Sequence, residues 1–249
     1  MEIAEHIDVL QHEGHLLAAA ATCAGLDADV PTCPRWQVRD VVGHLGGVHR
    51  WATTHVREGL AAVADGGQPA LETPPDDGLV DWFVEGHGAL IATLRAAPAD
   101  IDAWTFLPSS SPLAFWARRQ AHETAIHRAD AESALGRAAA YDARFALDGL
   151  DELIAGFWGR KTKGLVAEPA RSLLVAPTDA ESRWHIAILP DGRAITSTPP
   201  FPRPDCTVAA TASELYLLMW NRLAENVGVV TGDEAVLRLW RERARIEWR

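Results

Sequence analysis

The first half of the chain repeats apolar residues at helical spacing, and loops rich in proline and glycine interrupt the repeats. Ile3, Ile7, Leu10 and Leu17, for example, fall on one face of a helix. The same spacing predicts four amphipathic helices, over approximately residues 2–24, 36–59, 77–96 and 113–135. Helices of this length joined by polar loops indicate a four-helix bundle.

The second half has a different pattern. One helix is predicted over 142–160, and two more over 213–223 and 233–245. Between them lie short segments typical of strands, with Asp191-Gly192 as a hairpin turn, at 172–176, 184–189, 193–198 and 206–210. Strands grouped with flanking helices indicate a small α+β domain. The predicted fold class is therefore α plus α/β with two domains, a bundle over 1–140 and an α+β domain over 141–249.

Charge and cysteine content narrow the classes of partner. The 249 residues carry a formal net charge of −11, which repels phosphate backbones and anionic membranes, so we expect neither nucleic acid nor membrane as a partner. Cys23, Cys33 and Cys206 form no CxxC pair, which argues against a disulfide framework and a thiolate zinc site. No apolar run approaches the roughly 18 residues of a membrane helix, and no basic and apolar leader follows Met1. We expect a cytoplasmic protein.

The fourth predicted helix contains the best candidate for metal chemistry. Glu123 and His127 are four residues apart and project from one helical face, so a carboxylate oxygen and an imidazole nitrogen can reach one ion. His44, in the middle of the second predicted helix, is the best placed third ligand. Two imidazoles and one carboxylate are a known catalytic zinc set that leaves a position open, although nickel or iron could use the same ligands.

Other interpretations of these residues remain open at this stage. Glu123 could pair with Arg119 one turn earlier, and His44 could be a hydrogen-bonded core histidine. His122 points about a hundred degrees away from Glu123 on the helix, so it does not easily share the face of His127. Residue spacing alone therefore makes the metal site plausible without deciding it.

Two segments of the chain resemble a known family. Residues 36–45 read Trp-Gln-Val-Arg-Asp-Val-Val-Gly-His-Leu, and residues 115–131 contain the Glu123 and His127 motif. Both resemble the metal-bearing segments of the mycothiol-dependent maleylpyruvate isomerase family, within the wider DinB-like metalloprotein superfamily. The final hundred residues are similar to that family's carboxy-terminal domain. The resemblance implies a DinB-like bundle in which His44, Glu123 and His127 bind zinc or another divalent metal.

The resemblance also implies the chemistry. Zinc lowers the pKa of a bound thiol, here mycothiol, so that a small electrophilic substrate meets a nucleophilic thiolate. Cis–trans isomerisation and thiol S-transfer both remain open, as does a non-catalytic metal-containing ligand-binding or regulatory module. An arginine fork suits substrate carboxylates, and Arg222 is the catalytic candidate, with stabilisation of a helix end as the alternative. Asp40 and Asp130 could each support a ligand histidine. Either could instead be an exposed carboxylate or a helix cap, which is favoured for Asp40 in the first turn of its helix. The oligomeric state is not predicted.

Overall fold

The structure is a computed structural model that describes residues 1–62, 73–159, 164–224 and 226–246. Contacts between Cα atoms divide the chain into two units, Met1–Ala139 and Ala140–Arg249. Within the described residues, no helix is both long and apolar enough to cross a membrane.

The first unit is built from four long helices. They are α1 (Ile3–Ala24), α2 (Val38–Glu58), α3 (Asp76–Ala96) and α4 (Pro112–Ser133). α1 packs mainly against α4, and α2 packs mainly against α3, with further contacts between α1 and α3 and between α2 and α4. The predicted bundle is therefore confirmed, with helix ends within about two residues of the expected ones.

Local sequence signals set the ends of these helices. Asp40 closes a capping box at the start of α2, because its carboxylate accepts a hydrogen bond from the Gln37 backbone N–H. At the start of α4, the Ser111 hydroxyl accepts from the Ala114 N–H, and Pro112 occupies the first turn. α2 is followed by the capping residue Gly59, whose left-handed backbone (φ 59°) suits glycine.

α4 is buried over most of its surface. Its interior positions include charged and polar side chains as well as apolar ones. Buried polar residues are informative because each requires a partner, whereas a buried apolar residue requires only space. The buried polar residues of α4 are Arg119, Gln120, His122, Glu123, Thr124, His127, Arg128 and Asp130.

The second unit contains a five-stranded mixed sheet in the order β3-β2-β1-β4-β5. β1 and β4 run parallel, and the other neighbours are antiparallel. In chain order its elements are α5 (Ala143–Asp151), a π-helical segment (Glu152–Phe157), β1 (Arg171–Pro177), β2 (Trp184–Leu189), β3 (Gly192–Thr196), β4 (Cys206–Ala210), α6 (Ala212–Met219), β5 (Val229–Gly232) and α7 (Glu234–Arg243). The predicted α+β fold is confirmed.

Three details of the second unit differ from the prediction. The predicted helix over 142–160 is α-helical only as far as Asp151 and continues as a π-helix to Phe157, and its last predicted residue lies outside the described part. The last helical residue of α6 is Met219, followed by a left-handed Asn221 (φ 63°), so the helix is shorter than expected. Strand β5 was not predicted at all.

Candidate metal centre

Two neighbouring helices of the bundle bring the three predicted ligands together. Glu123 and His127 lie one turn apart on α4, and His44 faces them from α2. One ligand atom from each of these residues lies within 4.8 Å of the other two. The sequence therefore predicted a set of residues that the fold does bring to one point.

The spacing of the donor atoms fits a metal ion. Glu123 Oε1 lies 3.4 Å from His44 Nε2 and 3.4 Å from His127 Nε2. Nitrogen and oxygen ligands about 2.0–2.1 Å from a tetrahedral zinc ion lie about 3.3 Å from one another. At 3.4 Å the same pairs of atoms also make long hydrogen bonds, so this spacing serves either a shared proton or a metal ion. The donor set, two imidazoles and one carboxylate, is also one that zinc accepts.

The second oxygen of Glu123 has a different partner. Arg119, only 2% exposed, donates to Glu123 Oε2 over 2.8 Å from one turn earlier on α4. Burial by itself raises the pKa of Glu123, but the Arg119 guanidinium and hydrogen bonds from His127 and His44 outweigh burial and hold that pKa well below its usual range. Glu123 is therefore an anion over the physiological range.

His127 is oriented by a carboxylate on its own helix. Its Nδ1 lies 2.9 Å from Asp130 Oδ2, and Asp130 is fully buried. Burial lowers the pKa of His127, but Asp130 and Glu123 outweigh it and raise that pKa to about 9. A proton held on Nδ1 by Asp130 leaves Nε2, the atom that faces Glu123, free to bind a metal in place of its own proton.

Trp36 closes one side of the candidate site. Its ring is nearly parallel to that of His127 (15°, centroids 5.8 Å apart) and lies 5.2 Å from that of His44. The two imidazole rings themselves meet edge to face at 4.9 Å. Both ligand rings are therefore packed against an indole, which limits their rotation.

The cluster offers three candidate ligands and remains partly open. Among the residues that the structure describes, the cluster comprises His44, Glu123 and His127 alone. Asp130 faces the far nitrogen of His127, and the ring of His122 meets that of His6 on α1, with centroids 6.1 Å apart. The His44 side chain is 21% exposed, so solvent reaches the site. Three protein ligands and a site that solvent can reach are features of a catalytic metal site, whereas a structural site is closed by a fourth protein ligand.

The two remaining candidates from the sequence, Asp40 and Arg222, lie at helix ends. Asp40 caps α2 and so has a structural role. Arg222 follows α6, and its Nη1 donates to the Trp220 carbonyl over 2.9 Å, which is the contact expected of a residue that stabilises a helix end. Its assignment as a substrate-binding arginine stays a prediction.

Two residues beside the site have no role that their sequence pattern predicts. Trp36 is part of a segment that resembles the family, and Thr32 belongs to no motif, although its hydroxyl contacts Asp130. Both lie in the loop between α1 and α2, where no periodic pattern indicates which side chains face inward. The proline-flanked Thr32-Cys33 sequence indicates a turn and gives no further signal.

Family models and solved structures of known proteins are similar to this chain over most of its length. A family model described as the mycothiol maleylpyruvate isomerase N-terminal domain matches residues 9–132, and one described as the MDMPI C-terminal domain matches residues 144–239. Two crystal structures, of the mycothiol-dependent maleylpyruvate isomerase and of a histidine-to-alanine mutant of it, share the fold. Each has a TM-score of 0.63, 10% sequence identity and 93% coverage of both chains. No curated protein matches the chain.

The fold and the site define a two-domain protein with a candidate metal centre inside an N-terminal helical bundle. The family models match most of both units. The chain belongs to the mycothiol-dependent maleylpyruvate isomerase family.

Proposed function

We propose that this protein is a zinc-dependent, or other divalent-metal-dependent, enzyme that uses mycothiol to act on a small electrophilic substrate. The observation that carries the proposal is the convergence of His44 Nε2, Glu123 Oε1 and His127 Nε2 at the spacing of metal ligands. Membership in the mycothiol-dependent maleylpyruvate isomerase family supports the choice of thiol and of reaction class.

The charges around the cluster favour an anion as the fourth ligand of a metal bound there. With His127 neutral, as a metal ligand must be, the carboxylates of Glu123 and Asp130 and the guanidinium of Arg119 together carry one net negative charge. A divalent cation reverses that sign and leaves a net positive site with little solvent to screen it. Such a site favours a thiolate over a neutral thiol, and the metal, when bound, lowers the pKa of the thiol.

The protein residues have separate tasks in this scheme. His44, Glu123 and His127 would hold the metal, Asp130 keeps the His127 proton on Nδ1, and Trp36 packs against both imidazoles. In an isomerisation, the thiolate sulfur forms a bond to an alkene carbon and the π electrons move to the conjugated carbonyl. The resulting single bond rotates, and elimination restores the alkene and releases the thiolate. In an S-transfer, a proton adds to the neighbouring carbon instead and the thioether is released.

Metal analysis is the first test of this proposal. Purified wild-type protein is expected to contain about one zinc equivalent, as three protein ligands require, and His44→Ala is expected to lose it. His12→Ala, which changes an exposed histidine of α1, is the matched control and is expected to keep the metal. A full zinc equivalent in His44→Ala would refute the assigned site.

Product analysis separates the two reactions. Zinc-loaded protein with mycothiol and maleylpyruvate is expected to convert the cis alkene to the trans alkene without consuming thiol. A stable thioether that accumulates in proportion to the thiol consumed would establish S-transfer instead. If zinc and thiol bind and neither product forms with any electrophilic alkene tested, the protein is a metal-containing binding module.

A further inference from the structure

The loop between α1 and α2 reaches the metal cluster through a chain of side-chain hydrogen bonds. The Thr32 hydroxyl donates to Asp130 Oδ1 over 2.6 Å, and the other oxygen of that carboxylate lies 2.9 Å from His127 Nδ1. Ser133, on α4, adds to this network, because its hydroxyl oxygen lies 3.1 Å from that of Thr32 and donates to the Asp130 carbonyl over 2.7 Å. Thr32 is thus two hydrogen bonds away from a predicted ligand.

The loop itself is held by its own backbone hydrogen bonds. Cys33 N–H donates to the Val30 carbonyl over 2.9 Å, and Trp36 N–H donates to the Cys33 carbonyl over 2.7 Å. Val30 N–H donates to the Trp36 carbonyl over 3.0 Å, which closes the turn. The position of Thr32 is therefore defined by the backbone, and the same turn delivers Trp36 against the ligand rings.

A buried carboxylate beside a histidine can adopt more than one orientation unless both of its oxygens are fixed. Asp130 is fully buried, and a hydroxyl donor on Oδ1 fixes the rotation of the carboxylate about its terminal bond. With Oδ1 fixed, Oδ2 stays in line with His127 Nδ1. That alignment determines which imidazole nitrogen carries the proton and where the other nitrogen points.

We propose that Thr32 is a positioning residue of the metal centre, which orients His127 by holding the carboxylate of Asp130. The inference rests on the proposed metal site and extends it from the bundle helices to the α1–α2 loop. Thr32 has no part in binding the metal or the substrate directly. Its effect is on the affinity and the geometry of the centre.

The test uses the full-length protein with Zn²⁺ and Co²⁺ as probes. Thr32→Val keeps the branched shape and removes the hydroxyl, whereas Thr32→Ser keeps the hydroxyl. Zinc affinity, measured by competition with a chromophoric chelator, is expected to fall about tenfold in Thr32→Val and to stay within about twofold of wild type in Thr32→Ser. Ser133→Ala is the control, since it removes a neighbouring hydroxyl without removing a donor to the carboxylate, and it is also expected to stay within about twofold.

The absorption spectrum of the Co²⁺-loaded protein gives a readout of ligand geometry that a merely structural role would not change. The visible bands are expected to shift in Thr32→Val and in Asp130→Asn and to match wild type in Thr32→Ser. Circular dichroism of the metal-free variants establishes that each is folded, and Thr32→Ala replaces Thr32→Val if the latter does not fold.

The outcomes separate this inference from the proposed function. If Asp130→Asn weakens zinc binding and Thr32→Val does not, Thr32 has no positioning role and the metal site stands. If Thr32→Val and Ser133→Ala weaken binding equally, the effect is a general loosening of the loop and the inference is wrong. If His44→Ala itself leaves zinc binding unchanged, the metal site and the inference fail together.

Discussion

At the level of single residues, Glu123 combines two interpretations that the sequence presented as alternatives. Oε2 accepts a hydrogen bond from Arg119, which is the ion pair expected from their spacing, while Oε1 faces His44 and His127. A carboxylate has two oxygens with separate acceptor directions, so one can be fixed by a buried arginine and the other kept for a metal. The pairing supports the ligand geometry rather than competing with it.

Arg222 gives the first residue-scale prediction. If its fork binds a substrate carboxylate, Arg222→Ala is expected to lower kcat/KM about tenfold to a hundredfold, because a charge-assisted contact is lost, and to leave zinc content unchanged. Steady-state kinetics and metal analysis check this. Arg238→Ala, which changes an exposed arginine of α7, is the control. A variant that unfolds at a lower temperature but turns over normally would assign Arg222 to the end of α6 alone.

His87 gives a prediction about pH and stability. Burial, with a smaller contribution from His15, lowers its pKa from 6.5 to about 4, although a hydrogen bond with the Gln11 carbonyl raises it. His49, also neutralised by burial, packs beside it from α2. The folded state thus binds this proton less readily than the unfolded state. The contribution of His87 to the free energy of unfolding is therefore most favourable above pH 6.5. It is lost as the pH falls toward 4, and the free energy of unfolding drops by about 3 kcal/mol over that range.

Urea unfolding of metal-free protein between pH 4.5 and 7 measures this effect. His87→Gln, which has no titrating side chain, is expected to lose less free energy of unfolding over that range than wild type does. His12→Ala, at an exposed position, is expected to retain the wild-type pH dependence. Parallel curves for wild type and His87→Gln would show that His87 is not held neutral in the fold.

At the level of secondary structure, the sequence predicted the elements that have a clear period. The four bundle helices and strands β1 to β4 were predicted because their apolar residues repeat at helical or alternating spacing. Strand β5 was missed because Val229–Gly232 is short and largely exposed at the sheet edge, where pairing with β4 rather than burial defines it. The π-helical turn was missed because it has no sequence period of its own.

The presence or absence of a sequence period also explains which parts of the site were predictable. His44, Glu123 and His127 lie on helices, where spacing fixes direction, so their convergence could be expected once the helices were paired. Thr32 approaches Asp130 from a loop 98 positions away in sequence. Contacts of this kind depend on how the loop packs on the bundle, and no local sequence pattern predicts that packing.

The packing of α2 on α3 gives a prediction at this scale. A Cβ at Gly46 would lie 2.2 Å from the Trp82 ring, so Gly46→Ala must displace a large side chain. We expect the free energy of unfolding to fall by about 1–3 kcal/mol, the usual cost of overpacking. Gly88→Ala on α3 is the matched control, because nothing lies within 4 Å of its added Cβ. There the better helix former is expected to stabilise the protein by about 0.5–1 kcal/mol. Equal effects of the two changes in chemical denaturation would contradict the close contact.

At the level of the whole molecule, the candidate metal ligands lie on two helices that are far apart in sequence. α1 and α4 are in extensive contact, whereas contacts between α2 and α4 are fewer, and the three ligands lie across that second pairing. A metal ion bound there would add a link between α2 and α4 that exists only in the folded bundle. We therefore expect metal binding there to be coupled to the stability of the Met1–Ala139 unit.

Thermal unfolding measures this coupling. At a free zinc concentration about a thousand times the dissociation constant, binding stabilises the folded state by about 4 kcal/mol, which corresponds to a rise in Tm on the order of 10 °C for a chain of this size. The rise is expected in wild type and in His12→Ala, and a chelator should reverse it. It should be absent in His127→Ala, which lacks the imidazole that Asp130 orients toward the cluster. An equal rise in His127→Ala would mean that zinc stabilises the protein from another site, and the assignment of His44, Glu123 and His127 as ligands would have to be abandoned.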